Sequence, residues 1–299
     1  MAARITVSRI SPLLLAFVPA LLVAQETPKP EATATVRLYM SDTRALVMLR
    51  IGDAAPVPVV FDTGTNGNLV DTGIADRLGL PNAGPSPSID GSTGKPVPGH
   101  DTFIRDARLG GVPIRDARAT ALTYDQTDEV GIFGPNSWPD SYVEMDGPRS
   151  RLVIRSQKAA VKPPGTPIPY LGKGGAALPS AVLDFGSIKI PAILDSGNDA
   201  PIILPSTYRS KLTLEGQPVV IGYAVSAAGR QPISKARLAG SVRIAGVTLT
   251  RPEIYFMDGG RPNIGLPVLR RIKVTYDHGS AQSWIGSDTM IDMSQPPKS

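Results

Sequence analysis

Val57-Pro58-Val59-Val60-Phe61-Asp62-Thr63-Gly64 decides the fold, because Ile190-Pro191-Ala192-Ile193-Leu194-Asp195-Ser196-Gly197 repeats it half a chain later. Each is an apolar, β-branched run, the pattern of a buried strand. Each ends in Asp, then a hydroxyl residue, then Gly, so a carboxylate stands where the strand meets a tight turn. Two carboxylates placed this way can make one acid/base pair.

The triplet alone is short. At ordinary residue frequencies it arises by chance about 0.1 times in a chain of this length, and a third copy, Asp71-Thr72-Gly73, does occur. That copy leads into Ile74-Ala75-Asp76-Arg77-Leu78-Gly79, so Asp71 or Thr72 reads as a helix N-cap and Gly79 as the stop. Asp62 and Asp195 differ because their surroundings repeat with them. Val47-Met48-Leu49-Arg50-Ile51-Gly52 answers to Ala181-Val182-Leu183-Asp184-Phe185-Gly186, and Asn68-Leu69-Val70 to Pro201-Ile202-Ile203. Ile132-Phe133-Gly134 answers to Asn263-Ile264-Gly265, 72 and 70 residues after the matching carboxylates. Two hairpins with Asp and Gly at the turn close the series, Val143 to Ile154 and Val274 to Ile285.

With these motifs the chain resembles the aspartic proteases, of the retropepsin-like kind but with both lobes in one polypeptide, as in pepsin. The run from Asn263 to Asp277 is similar to the end of a pepsin-type second lobe over almost its whole length. The resemblance implies a mainly β fold of two similar, barrel-like lobes related by a pseudo-twofold axis. It implies Asp62 and Asp195 as the catalytic pair, sharing one proton because two close carboxyls do not both ionise cheaply. Water between them would then attack a peptide carbonyl without a covalent intermediate. In the family the hydroxyl just after the first triplet hydrogen-bonds the pair, and Thr65 stands there; Asn198 stands at the matching place in the second half. By the same resemblance Thr63 and Ser196 brace the two turns, Gly64 and Gly197 let backbone N–H groups approach the carboxylates, and a glycine-bearing hairpin flap covers the cleft. The flap candidates are Ser92, Thr93 and Gly94 in the first half and Ala228 and Gly229 in the second. Pepsin's flap carries a Tyr, and none occurs between Pro81 and Leu122.

Other chemistries lack their parts. Gly94-Lys95 has neither the first Gly nor the final Ser or Thr of a phosphate loop, and Asp184-Phe185-Gly186 has no kinase motifs around it. His100 and His278, read as loop residues, are the only histidines, with no HExxH or GxSxG beside them. No metal or other cofactor is expected. The absence of Cys removes disulfides, thiolate metal sites and a lipid anchor on Cys. A net charge of +5 includes Arg4 and Arg9 of the leader, and the one tight basic cluster, Arg270-Arg271 with Lys273, is too small for the counterion release that nucleic-acid binding needs.

Arg4 and Arg9 before an apolar stretch from Leu13 to Val23, with Ala20 or Ala24 as a cleavage point, predict a secretory signal peptide over residues 1–24. The predicted product is a periplasmic bacterial or secreted protein with no stable membrane anchor once the signal is removed. Residues 35–155 form the first expected lobe, 156–169 a Pro-rich connection and 170–291 the second lobe, with short helices near Ile74–Leu78 and Pro205–Lys211. The expected partner is a peptide or protein substrate, and the expected state a monomer, since duplication supplies the second lobe in the same chain. The competing functional class is a catalytically silent peptide-binding module on the same fold.

Overall fold

Alternation of buried and exposed residues runs through the chain and sets strand after strand: in Ala45–Ile51, for example, Ala45, Val47 and Leu49 are wholly buried. A computed structural model describes residues 33–86, 88, 96–115, 118–124, 128–158, 161–226, 229–259, 261–286 and 289–295. The leader expected at 1–24 lies outside them. The fold is mainly β, with curled, half-barrel sheets.

Among the described residues three sheets carry it. The sheet of the first half runs in the order 99–103, 118–122, 68–71, 131–133, 57–61, 45–51, 107–109, 112–113. That of the second half runs 219–226, 229–237, 253–257, 202–205, 263–265, 189–195, 180–184, 241–244, 247–250, 289–292. The pairings agree in sense from one to the other. Gly131–Phe133 lies parallel to Val57–Phe61 and antiparallel to Asn68–Asp71, and Asn263–Gly265 lies parallel to Lys189–Asp195 and antiparallel to Ile202–Pro205. Asn68–Asp71 is parallel to Arg118–Leu122, as Ile202–Pro205 is to Glu253–Met257.

The third sheet joins the halves. Hairpin strands Ser141–Asp146 and Arg151–Ser156 meet hairpin strands Lys273–Asp277 and Gln282–Ile285 through the antiparallel pair Ser141–Asp146 and Lys273–Asp277. Val143, Met145, Val274 and Tyr276 are buried where the hairpins meet. The inaccessible Asp146 carboxylate is held there by Arg149 and Arg151 from its own half and by Lys273 from the other, at 3.2 to 3.4 Å.

Both outer edges of this sheet are filled by segments the sequence left irregular. Thr33 and Ala34, expected to precede the first ordered element, open strand Thr33–Arg37 along Arg151–Arg155. Ile168–Pro169, expected as the end of the connection, pairs with Ser283 and Gln282. An exposed hairpin edge offers unpaired backbone groups, and a passing extended segment satisfies them. His100, read as a loop residue, is likewise in strand Gly99–Phe103. The helix expected near Ile74–Leu78 spans Thr72–Arg77, with Asp71 capping Gly73 and Ile74 N–H groups; Ser206–Lys211 is a 3-10 helix. No helix among the described residues is long and apolar enough to cross a membrane.

Candidate active site

Asp62 follows strand Val57–Phe61 directly, and its N–H donates to the Phe133 carbonyl at 2.9 Å. The parallel neighbour therefore fixes where the strand ends. Asp195 closes strand Lys189–Asp195 and stands opposite Gly265 in the parallel register. Gly134 and Gly265 pass so close to neighbouring backbone, at the Asp62 carbonyl and at the Asn198 and Ala200 carbonyls, that a side chain at either would collide.

The two turns lock together. Ser196 Oγ donates to the Phe61 carbonyl at 2.6 Å and accepts from the Thr63 N–H at 3.1 Å. Thr63 Oγ1 donates to the Leu194 carbonyl at 2.8 Å and accepts from the Ser196 N–H at 3.0 Å. All four bonds cross between the halves, and both hydroxyl residues are inaccessible to solvent. Each hydroxyl gives its one proton and receives one N–H, so both act as donor and acceptor in a closed set. Tyr276 lies fully buried with its hydroxyl against Thr63.

This lock brings the carboxyl groups of Asp62 and Asp195 into hydrogen-bond contact. Each also lies over the glycine of the opposite turn: a methyl group on Gly64 would come within 2.6 Å of Asp195 Oδ1, and one on Gly197 within 2.5 Å of Asp62 Oδ2. Gly64 N–H donates to Asp62 Oδ1 at 2.6 Å and Gly197 N–H to Asp195 Oδ1 at 3.0 Å. Burial pushes the Asp62 carboxyl well above the ordinary carboxylate range, and the charge of Asp195 pushes it further. Burial also raises Asp195, against the hydrogen bonds donated by Asn263, by Asp62 and by backbone N–H groups. Both residues keep part of their surface open, so a small molecule can reach the pair.

The remaining candidates are placed as follows. Thr65 Oγ1 donates its proton to the Gly67 carbonyl at 2.9 Å, within its own turn. Asn198 Oδ1 accepts from the Ala200 N–H at 3.0 Å, and Asn198 Nδ2 donates to Asn263 Oδ1 at 2.7 Å. Ser92, Thr93, Gly94 and Ala228 lie outside the described residues; Gly229 opens strand Gly229–Arg237, antiparallel to Val219–Ser226. Ser86 N–H donates to the Gly99 carbonyl and Val97 N–H to the Ser88 carbonyl, each at 3.0 Å.

Two groups at the site escaped the sequence reading. Asn263 Nδ2 donates to Asp195 Oδ2 at 2.5 Å. The signal was there, as an amide in the place where the first-half copy has Ile132. Tyr124 lies near Asp62 and hydrogen-bonds Glu129, which is buried and held by Arg44 Nε at 2.9 Å. Burial and the adjacent Glu129 charge push the Tyr124 hydroxyl up. Arg44 and Glu129 are far apart in sequence, so no local pattern announces the pair. Among the described residues no cluster of three or more His, Asp or Glu is arranged to hold a metal ion.

A sequence model of the family described as aspartyl protease matches residues 47–136. The matched stretch starts in the strand before Val57–Phe61, contains Asp62-Thr63-Gly64 and ends just past Ile132-Phe133-Gly134, and it supports a protease activity. No curated protein matches the chain.

Proposed function

We propose that the protein is an aspartic endopeptidase in which Asp62 and Asp195, sharing one proton, activate a water molecule for attack on a peptide bond. The observation that carries this is the reciprocal set of hydrogen bonds between Thr63 and Ser196, which puts two strand-end carboxyls in contact at a site open to solvent. Two acids held together in a partly dry site exchange protons with substrate more readily than either alone in water.

The matching pairings of the two large sheets support a two-lobed architecture with a pseudo-twofold axis between Ser141–Asp146 and Lys273–Asp277. On this reading the lobes are residues 35–155 and 170–291, and an extended peptide lies in the cleft between them. The enzyme works without a cofactor, as a monomer, in the periplasm or outside the cell after removal of the leader. Thr63, Gly64, Ser196 and Gly197 hold the pair in register, and the antiparallel strands Val219–Ser226 and Gly229–Arg237 flank the cleft as a flap.

The test is cleavage of an unfolded protein between acid and neutral pH by the wild type, Asp62→Asn and Asp195→Asn. Activity in the wild type and loss in both variants is expected. Equal activity in all three would remove these residues from the chemistry, and binding of peptide without cleavage would make the protein a silent module.

A further inference from the structure

We infer that Asn263 is a positioning residue that fixes the negative charge of the pair on Asp195 and leaves the shared proton on Asp62. This deepens the peptidase reading and rests on it. The geometry is a relay of donors ending on one carboxylate. The Ala200 N–H donates to Asn198 Oδ1 at 3.0 Å, Asn198 Nδ2 to Asn263 Oδ1 at 2.7 Å, and Asn263 Nδ2 to Asp195 Oδ2 at 2.5 Å. The first link fixes which end of the Asn198 amide is oxygen, because a backbone N–H can only donate; the second and third follow from it. Asn263 therefore presents N–H, and only an acceptor answers it well.

The first half has no such device. Ile132 occupies the corresponding place, paired with Val60 as Asn263 is with Ile193, and offers no donor to Asp62. Thr65 gives its proton to Gly67. Asp195 thus receives the Asn263 amide as well as N–H groups of Gly197 and Asn198, whereas Asp62 receives those of Gly64 and Gly197. More donors favour the charged form. Other titratable groups face the pair without reversing this preference: Tyr124 lies near Asp62, and Tyr276 lies near both. Both are neutral phenols, because burial raises them.

The roles then divide. Asp195 takes a proton from water as the water oxygen bonds to the peptide carbon, while Asp62 gives its proton to the carbonyl oxygen, forming a neutral diol. On collapse Asp195 passes its proton to the departing nitrogen, the C–N bond breaks, and a diol hydroxyl returns a proton to Asp62. The starting state is restored.

The experiment uses the mature protein and reads two quantities in wild type, Asn263→Ile and Asn198→Ala: the titration of the Asp195 carboxyl by carbon NMR, and the acid limb of kcat/KM against pH. Asn263→Ile copies the first-half residue into a half-buried place. Loss of an amide donor to a carboxylate raises the Asp195 midpoint, and with it the acid limb, by about one to two pH units. Asn198→Ala, which only frees the far end of Asn263, gives a smaller shift in the same direction and decides the matter if Asn263→Ile does not fold. A folded Asn263→Ile protein with an unmoved Asp195 titration overturns the inference while leaving the peptidase standing. A wild type that cleaves nothing overturns the peptidase, and the titration still decides where the charge sits.

Discussion

Replacing Ser196 by Ala removes one oxygen and strands two partners. The Phe61 carbonyl loses a donor at 2.6 Å and the Thr63 N–H an acceptor at 3.1 Å. Water cannot replace the hydroxyl, since Thr63 and position 196 are inaccessible to solvent and the space vacated is smaller than a water molecule. A buried group left without a partner costs about 1–3 kcal/mol, and part of that is recovered by relaxation, so the pair amounts to about 3 kcal/mol. Urea unfolding followed by the fluorescence of Trp138 and Trp284, both buried, measures it directly. Ser196→Thr keeps the hydroxyl and mirrors Thr63 but adds a methyl at a buried position, at about 1–3 kcal/mol, so it serves as the control for kcat, which it is expected to retain. Because the same bonds align the carboxyls, Ser196→Ala is also expected to lower kcat about a hundredfold, the usual effect of a misplacement near 1 Å. A loss of stability below about 0.5 kcal/mol with an unchanged m-value, or full stability loss with unchanged kcat, would refute the view that these hydroxyls hold the two turns in register.

Two further expectations follow from the site. Burial and the neighbouring charge raise the folded-state value of Asp62 above its ordinary 3.8, so its contribution to stability is complete below that pH and is lost as pH rises through the folded value. The stability of Asp62→Asn should therefore gain on that of the wild type from about pH 4 upward, as urea midpoints at successive pH values will show; parallel curves would contradict it. Gly197→Ala sets a methyl carbon 2.5 Å from Asp62 Oδ2, so kcat/KM should fall at least about a hundredfold while circular dichroism retains the β spectrum, and a variant of normal activity would show that the carboxyl has room to move.

Much of the fold was legible because it is local and because it is repeated. Apolar alternation marks the strands, Asp71 is a cap by side-chain length and position, and the spacing of Asp62 from Ile132-Phe133-Gly134 agrees to within two residues with that of Asp195 from Asn263-Ile264-Gly265. Pairing between distant segments was not legible. Nothing in Thr33–Arg37 says that Arg151–Ser156 will present it an open edge, and nothing in Ser141–Asp146 names Lys273–Asp277 as its neighbour. Such pairings are decided by which edges remain after the hairpins form. The Arg44–Glu129 pair beside Tyr124 belongs to the same class, a contact made by folding between residues with no common pattern.

The site divides along the same line. What the halves share, Asp, hydroxyl residue and Gly at a strand end, explains why two carboxyls meet, but a symmetric pair has no reason to hold its proton on one side. The departures from the repeat supply that reason. Asn263 against Ile132 gives one carboxylate a side-chain donor that the other lacks, and Asn198 against Thr65 anchors that donor instead of turning a hydroxyl towards Gly67. On the proposed reading, then, the positions of the two motifs that match locate the chemistry, and the positions that fail to match, which a search for repeats discounts as imperfect, assign the acid and the base.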